Sequence, residues 1–269
     1  MNSGDPAVDE VVAALKAQDP DGSRTAGVLR DTIDQLYDGN RTGRYRWDQL
    51  FKTEKTHCGT LVEINMQREF EFTDGTLMDF EIAGQEVDCK YSQSFGGWMV
   101  PLEAVDQILL VLTADDSNSS WSMGVVRATP ERLRGGGNRD SKTSMTAEAR
   151  EDITWLYRDA PLKENVLLHM PPEDVDRIFA EKSGLRRLEM LFRLCQNTVL
   201  SRNVIATVGH GLDDPLRRVR SGSSGARGRL AAEGITILGG QEAADLELAA
   251  KLGFPVPAKG EFLSTRGGK

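Results

Sequence analysis

Charged side chains alternate with apolar ones inside two short runs, TLMDFEI (76–82) and QEVDCKY (85–91). This limits what the chain can become more than any other stretch. The runs read as two β-strands joined at AGQ, a hairpin. Alternation puts Asp88 and Lys90 on one face of the second strand and Cys89 on the other. Asp79, on the first strand, approaches them across the hairpin. An Asp-x-Lys alternation also occurs on solvated strands. Here Met78, Phe80, Ile82 and Val87 place both strands in a core, where charge is costly unless it is paired or binds metal. Two carboxylates, Asp79 and Asp88, with the main-chain carbonyl of Cys89 form an all-oxygen corner suited to Mg²⁺. Such an ion lowers the pKa of a bound water and neutralises charge on a scissile phosphate. Lys90 is placed to orient that water or to stabilise the transition state, and Glu63 is the natural fourth member.

At 269 residues the chain has room for one large domain or two ordinary ones. No apolar run nears the roughly 18–20 residues of a membrane span, and MNSGDPAVDEVV has no secretory signal pattern. Three scattered cysteines fit a reducing cytoplasm, and three histidines leave any metal to oxygen ligands. Before the hairpin, helices are expected over Asp5–Ala17, over a second segment capped by Ser23 and ending near Tyr37 with Gly39 at C′, and over 48–70. RTGRYRW (41–47) reads as an exposed loop that interleaves Arg41, Arg44 and Arg46 with aromatics. TDG (73–75) reads as a turn. Further strands are expected at Ile108–Thr113 and Ser120–Thr129. Next come a basic glycine-rich loop (133–144, with Arg134, Asn138, Arg139 and Lys142) and a helix over Thr146–Tyr157 capped at Thr146. The result is an α/β domain over 1–160, a mixed central sheet flanked by helices.

After a linker at Asp159–Lys163, residues 164–269 change to short helices: 171–184, 186–196 and 201–209, the last capped by Ser201. The net charge of -8 argues against a nucleic-acid partner, yet it is unevenly spread. Between Gly184 and Leu230 lie nine arginines against three acids, with no lysine, a composition that favours bidentate phosphate or base contacts. A solvated basic face is the plainer account of that stretch. Arg217, Arg218, Arg220, Arg227 and Arg229 are the candidate DNA contacts. A basic helix at 225–234 running into ITILGG reads as a recognition helix entering a wing, hence a mainly helical winged helix-turn-helix domain. A small helical bundle is the alternative. His57 beside Cys58 reads as a helix-surface residue rather than part of a Cys–His pair. His210 reads as a turn residue, and SFGGW (94–98) as a turn beside a packed Trp98 or a phosphate cradle.

Asp-x8-Asp-Cys-Lys, with Glu63 sixteen residues before the first Asp, is similar to the active site of the NaeI-type type IIE restriction endonucleases, within the PD-(D/E)xK nucleases. TIDQLYDGNRTGRYRW (32–47) and DCKYSQSFGGWMVP (88–101) extend the resemblance, which covers most of 1–240. It implies Glu63, Asp79, Asp88 and Lys90 as catalytic residues and Mg²⁺ as cofactor. It also implies an N-terminal restriction-endonuclease-like domain and a C-terminal domain whose binding of a second DNA copy activates cleavage. LYDG (36–39) resembles the ligase signature KxDG with Leu36 in place of the nucleotide-accepting lysine, so no adenylated intermediate and no organic cofactor are expected. The expectation is a site-specific hydrolase of double-stranded DNA, with two DNA sites per protomer and no membrane partner. It is a homodimer, because a palindrome cut on both strands needs two symmetric sites. The alternatives are a repair-type nicking endonuclease and a winged-helix regulator carrying a degenerate nuclease domain. All four catalytic positions are intact, which argues against decay.

Overall fold

The computed structural model describes residues 3–135, 142–220 and 222–266. It begins with helices α1 (Pro6–Gln18), α2 (Ser23–Tyr37), α3 (Gly39–Thr42) and α4 (Lys52–Phe70). Strands β1 (Thr73–Asp74), β2 (Phe80–Ile82), β3 (Gln85–Ser92), β4 (Met99–Val100), β5 (Ile108–Asp115), β6 (Ser120–Arg127), β7 (Thr143–Ser144) and β8 (Thr154–Pro161) follow. Next come α5 (Val166–His169), α6 (Pro172–Ala180), α7 (Gly184–Leu194), β9 (Val199–Leu200) and α8 (Arg202–Val208). The chain ends with α9 (Pro215–Arg220), α10 (Ala226–Ala231), β10 (Ile235–Gly239), α11 (Ala243–Lys251) and β11 (Phe262–Arg266). Two compact units result: Met1–Leu36 with Phe51–Glu164, and Tyr37–Leu50 with Asn165–Lys269. Among the described residues no helix is long and apolar enough to cross a membrane.

The first unit is built on a six-stranded mixed sheet ordered β1-β2-β3-β5-β6-β8. Only β3 and β5 run parallel. β5 is buried along nearly its whole length, as its apolar run ILLVLTA demands. β2 and β3 form the expected hairpin, with Phe80 opposite Val87 and Ile82 opposite Gln85. Its two-residue turn takes left-handed angles at Ala83 (φ 53) and Gly84 (φ 74), the combination that matches strand twist. The Asp5 carboxylate caps α1 by accepting from the N–H groups of Ala7 and Val8, and Val8, Val11 and Leu15 face the core.

Several expectations need correction. Ser23 does not cap α2: Asp19 and Asp21 accept from the N–H groups of Arg24, Thr25 and Ser23. Asp38, not Gly39, takes the left-handed position after α2 (φ 48), and Gly39 starts α3, where a Cβ would collide with Thr207 Oγ1. The helix expected over Thr146–Tyr157 is absent. Thr146 Oγ1 accepts from Ala149 N–H as a cap should, but only one 3₁₀ turn follows (Glu148–Arg150). Then Thr154-Trp155-Leu156-Tyr157, β-branched and aromatic with Thr154 and Leu156 buried, pairs with β6 as a strand. The expected linker is largely strand as well, since β8 runs to Pro161 and the buried Leu162 donates to Ser119 O.

The RTGRYRW segment is not an exposed loop of the N-terminal domain. It belongs to the second unit, where Tyr45 stacks on Phe179 (5.6 Å) and its carbonyl accepts from Asn165 Nδ2 (2.8 Å). In that unit Leu188, Leu191 and Phe192 of α7 form an apolar stripe in one core with Val204, Ile205, Leu230 and Ile237. Ser201 caps α8 as expected. Arg217, Arg218 and Arg220 lie on α9, and beyond Gln241 the chain forms α11 and β11. β11 is the middle strand of a three-stranded antiparallel sheet ordered β10-β11-β9.

Candidate active site

Asp88, Cys89 and Lys90 lie in the middle of β3, and Asp79 stands just before β2, one register step beyond the pair Phe80–Val87. The geometry is tight. Cys89 N–H donates to Asp79 Oδ2 at 2.7 Å. Lys90 Nζ donates to Asp88 Oδ1 at 2.6 Å and to the Cys89 carbonyl at 3.1 Å, and lies 3.9 Å from Asp79 Oδ2. The ammonium therefore reaches the same three oxygens that the sequence assigns to a cation. α4 packs on β3 and brings Glu63 to this cluster, half-buried and within the field of Asp79 and Lys90.

Burial pushes the Asp88 carboxyl up to about 6; the Lys90 ammonium pulls it back and the Asp79 charge adds to the rise. Burial also raises Glu63, and again Asp79 adds while Lys90 opposes. The Cys89 thiol is buried and held far above its ordinary value, so the residue acts through its backbone.

Among the described residues no three His, Cys, Asp or Glu side chains converge as a metal cluster. The expected corner does not need a third side chain, because its third oxygen is the Cys89 carbonyl. Asp88 Oδ2 is buried without a hydrogen-bond partner, the state in which a carboxylate oxygen favours a cation. An oxygen-only donor set with one orphaned buried oxygen fits a hard divalent ion held by Asp79, Asp88 and the Cys89 carbonyl.

One contributor escaped the sequence reading. Glu86 accepts backbone N–H groups from Thr76, Leu77 and Met78, the three residues before Asp79. Its parity with Asp88 and Lys90 along β3 was the available signal.

The other candidates separate. His57 is exposed while Cys58 is buried, its thiol raised to about 12 by burial, so they form no nucleophilic pair. Gly97 N–H is taken by Ser94 O, and Trp98 is fully buried with Nε1 on Leu112 O, which makes SFGGW a packed turn. His210 Nδ1 contacts Thr207 O at 3.0 Å in a turn, and its ring stacks on Phe179. Arg41 and Arg46 are exposed beside Asp38 and Asp48, while half-buried Arg44 donates to Tyr37 O. Arg134 and Lys142 are exposed; Asn138 and Arg139 lie outside the described residues. On α9, Arg217, Arg218 and Arg220 are exposed. Arg227 instead pairs with Asp245 at 2.6 Å and Arg229 with Glu189 at 3.1 Å, so these two hold α10 to its neighbours.

The family model described as "Restriction endonuclease NaeI" matches residues 9–268. The type II restriction enzyme NaeI of Lentzea aerocolonigenes is 51% identical over 266 residues, covering 96% of this chain and 83% of that protein.

Proposed function

The chain belongs to the restriction endonuclease NaeI family, and on that premise we propose that it is a Mg²⁺-dependent type II deoxyribonuclease that cuts both strands of DNA at a specific palindrome. The observation that carries the chemical reading is the cluster itself. Asp79, Asp88, the Cys89 carbonyl and Lys90 share one half-buried spot, and Asp88 Oδ2 there has no partner.

Asp79, Asp88 and the Cys89 carbonyl are the residues that would hold the ion. When bound, the ion lowers the pKa of a water and offsets charge on the scissile phosphate. Lys90 keeps a positive charge on the oxygen cluster and is placed to orient the attacking water or to stabilise negative charge building on the phosphorus oxygens. Glu63 supplies a further carboxyl from α4. Burial of Asp88 and Glu63 keeps solvent from diluting these interactions.

The second unit supports a winged helix-turn-helix reading. α8, α9 and α10 precede β10, and the strand order β10-β11-β9 places the last strand between the other two. We assign its DNA contacts to Arg217, Arg218 and Arg220 on α9, with Arg41 and Arg46 on the docked 37–50 segment. Arg227 and Arg229 act in that unit's internal ion pairs. A second DNA copy bound there activates cleavage by a cytoplasmic homodimer. Incubating supercoiled plasmid with protein and Mg²⁺ tests the reading. Linear product is expected; nicked circles alone would favour the repair-type alternative, and untouched plasmid would favour a regulator.

A further inference from the structure

Asp79 sits outside the strand ladder: β2 begins at Phe80, and the chain before it is irregular back to β1. Its backbone is nevertheless fixed. Glu86 Oε1 accepts Thr76 N–H at 2.8 Å, and Oε2 accepts Leu77 N–H at 3.1 Å and Met78 N–H at 2.8 Å. Gly75 N–H closes the loop on Asp79 O at 3.4 Å. Gly75 has to be glycine, because a Cβ would collide with the Met78 carbonyl and stand 2.7 Å from Glu86 Oε2. Successive N–H groups converging on one carboxylate make an anion-binding concavity. Leu77, at the tip of this loop, is exposed, while Met78 packs against the core that includes Trp98 and Leu109, so the Glu86 carboxylate and that one side chain together hold the loop.

We propose that Glu86 is a positioning residue: a carboxylate clamp that, through the 76–78 backbone, sets Asp79 opposite Asp88. The proposal rests on the reading of Asp79 as an active-site carboxylate. Glu86 and Asp88 share one face of β3, so the strand that carries Asp88, Cys89 and Lys90 also fixes the separate segment that carries Asp79. Displacing a reacting or ion-holding group by about an ångström can cost on the order of a hundredfold in rate.

The test uses the full chain and plasmid DNA. It compares wild type with Glu86→Gln, Gly75→Ala, Asp79→Asn and Glu81→Gln. The readouts are kcat, KM, the Mg²⁺ concentration for half-maximal cleavage, DNA binding in Ca²⁺, Tm without metal, and the Mg²⁺-induced rise in Tm. Glu86→Gln keeps the side-chain shape but faces the N–H donors with an amide. It is expected to lower kcat about tenfold or more and to weaken the Mg²⁺-induced rise in Tm, with KM and metal-free Tm nearly unchanged. Gly75→Ala, which disturbs the loop from its other side, repeats the fall in kcat and in the Mg²⁺-induced rise, with a lower metal-free Tm because its Cβ meets the Met78 carbonyl. Glu81→Gln, exposed opposite Glu86, changes neither. Wild-type kcat and Mg²⁺ dependence in both loop variants would overturn the clamp. So would a fall in kcat in Glu86→Gln matched by equal losses of metal-free Tm and DNA binding, which would mark a purely structural role. Asp79→Asn separates the two readings: normal cleavage by it removes the active-site assignment and the clamp together. Its inactivity beside a wild-type Glu86→Gln removes the clamp alone.

Discussion

Asp88 is 5% exposed, with one carboxylate oxygen on Lys90 and the other unpartnered, so its replacement acts on the reaction centre itself. Asp88→Ala or Lys90→Ala is expected to lower cleavage by about a hundredfold to a thousandfold or more, while DNA binding in Ca²⁺ stays within a few-fold. Wild-type turnover in either variant would remove the assignment. Asp88 also sets a pH dependence. Its folded-state value, about 6, lies above the roughly 3.9 of an unfolded chain. Without metal, its contribution to stability is full below about 4 and is lost as pH rises through about 6. A divalent ion needs the deprotonated form, so the Mg²⁺-induced rise in Tm should grow with pH up to about 6 and then level off. A gap between EDTA and Mg²⁺ melting curves that does not change from about pH 5 to 8 would contradict this. The convergence of Asp79, Asp88 and Lys90 was legible because charge inside apolar strands has few uses; Glu63, on the helix α4, carried no such mark. Glu86 was not legible: parity with Asp88 marks the face it lies on, but its partners are backbone N–H groups, which side-chain patterning does not show. Nor was the fate of Arg227 and Arg229. An Arg-rich helix reads alike whether its acids lie on DNA or, as with Asp245 and Glu189, elsewhere in the same unit.

β8 carries the largest misreading at the scale of elements. The run from Thr146 to Tyr157 begins with a good cap and two early acids, which suits a helix, yet Thr154–Tyr157 is strand. Local capping cannot outweigh long-range pairing with β6, here Met123 opposite Tyr157 and Gly124 opposite Trp155. The register shifts around Met123, and the adjacent glycine shows why. A Cβ on Gly124 would strike the Ile153 side chain and approach Trp155 Cε3 to 2.9 Å. Gly124→Ala is therefore expected to destabilise the protein by about 1–3 kcal/mol, read from denaturant unfolding, through overpacking of the β6–β8 face. A neutral or stabilising effect would show that the two strands part at little cost. The β2–β3 hairpin was legible because a two-residue turn with glycine between alternating runs has one common solution. α9 was not, because Pro215, three arginines and the following glycines and serines look locally like a connection. Leu216 and buried Val219, which set its inner face, gain meaning only with the rest of the second core in place.

At the scale of the whole molecule, the chain passes between its two units three times, at 36–37, 50–51 and 164–165. The middle excursion, Tyr37–Leu50, joins α2 directly to α4, and α4 carries Glu63. The sequence placed that basic, aromatic segment in the nuclease domain because contiguity is the only guide to domain membership in a single chain. The stacking of Tyr45 on Phe179 and the Asn165 hydrogen bond assign it to the second unit. If Arg41 and Arg46 are among its DNA contacts, as proposed above, DNA held by the second unit touches a segment covalently continuous with the helix that carries Glu63. A DNA copy bound there can stimulate cleavage only if it favours the active state, and such coupling is typically about 1–3 kcal/mol, roughly 5–150-fold. A single-site plasmid should accordingly be cut slowly, and added site-bearing oligonucleotide should accelerate it within that range. The variant that separates binding from folding is charge reversal at the exposed Arg218 on α9. Reversal at Arg227 or Arg229 would instead break ion pairs that hold the unit together. The α9 variant should lose the stimulation and keep basal cleavage, measured as time courses with and without oligonucleotide at one fixed salt concentration, since phosphate contacts make each affinity salt-dependent. Equal wild-type rates under both conditions would reduce the second unit to a DNA anchor. Loss of basal cutting in the α9 variant would mean that this surface already holds the substrate being cut.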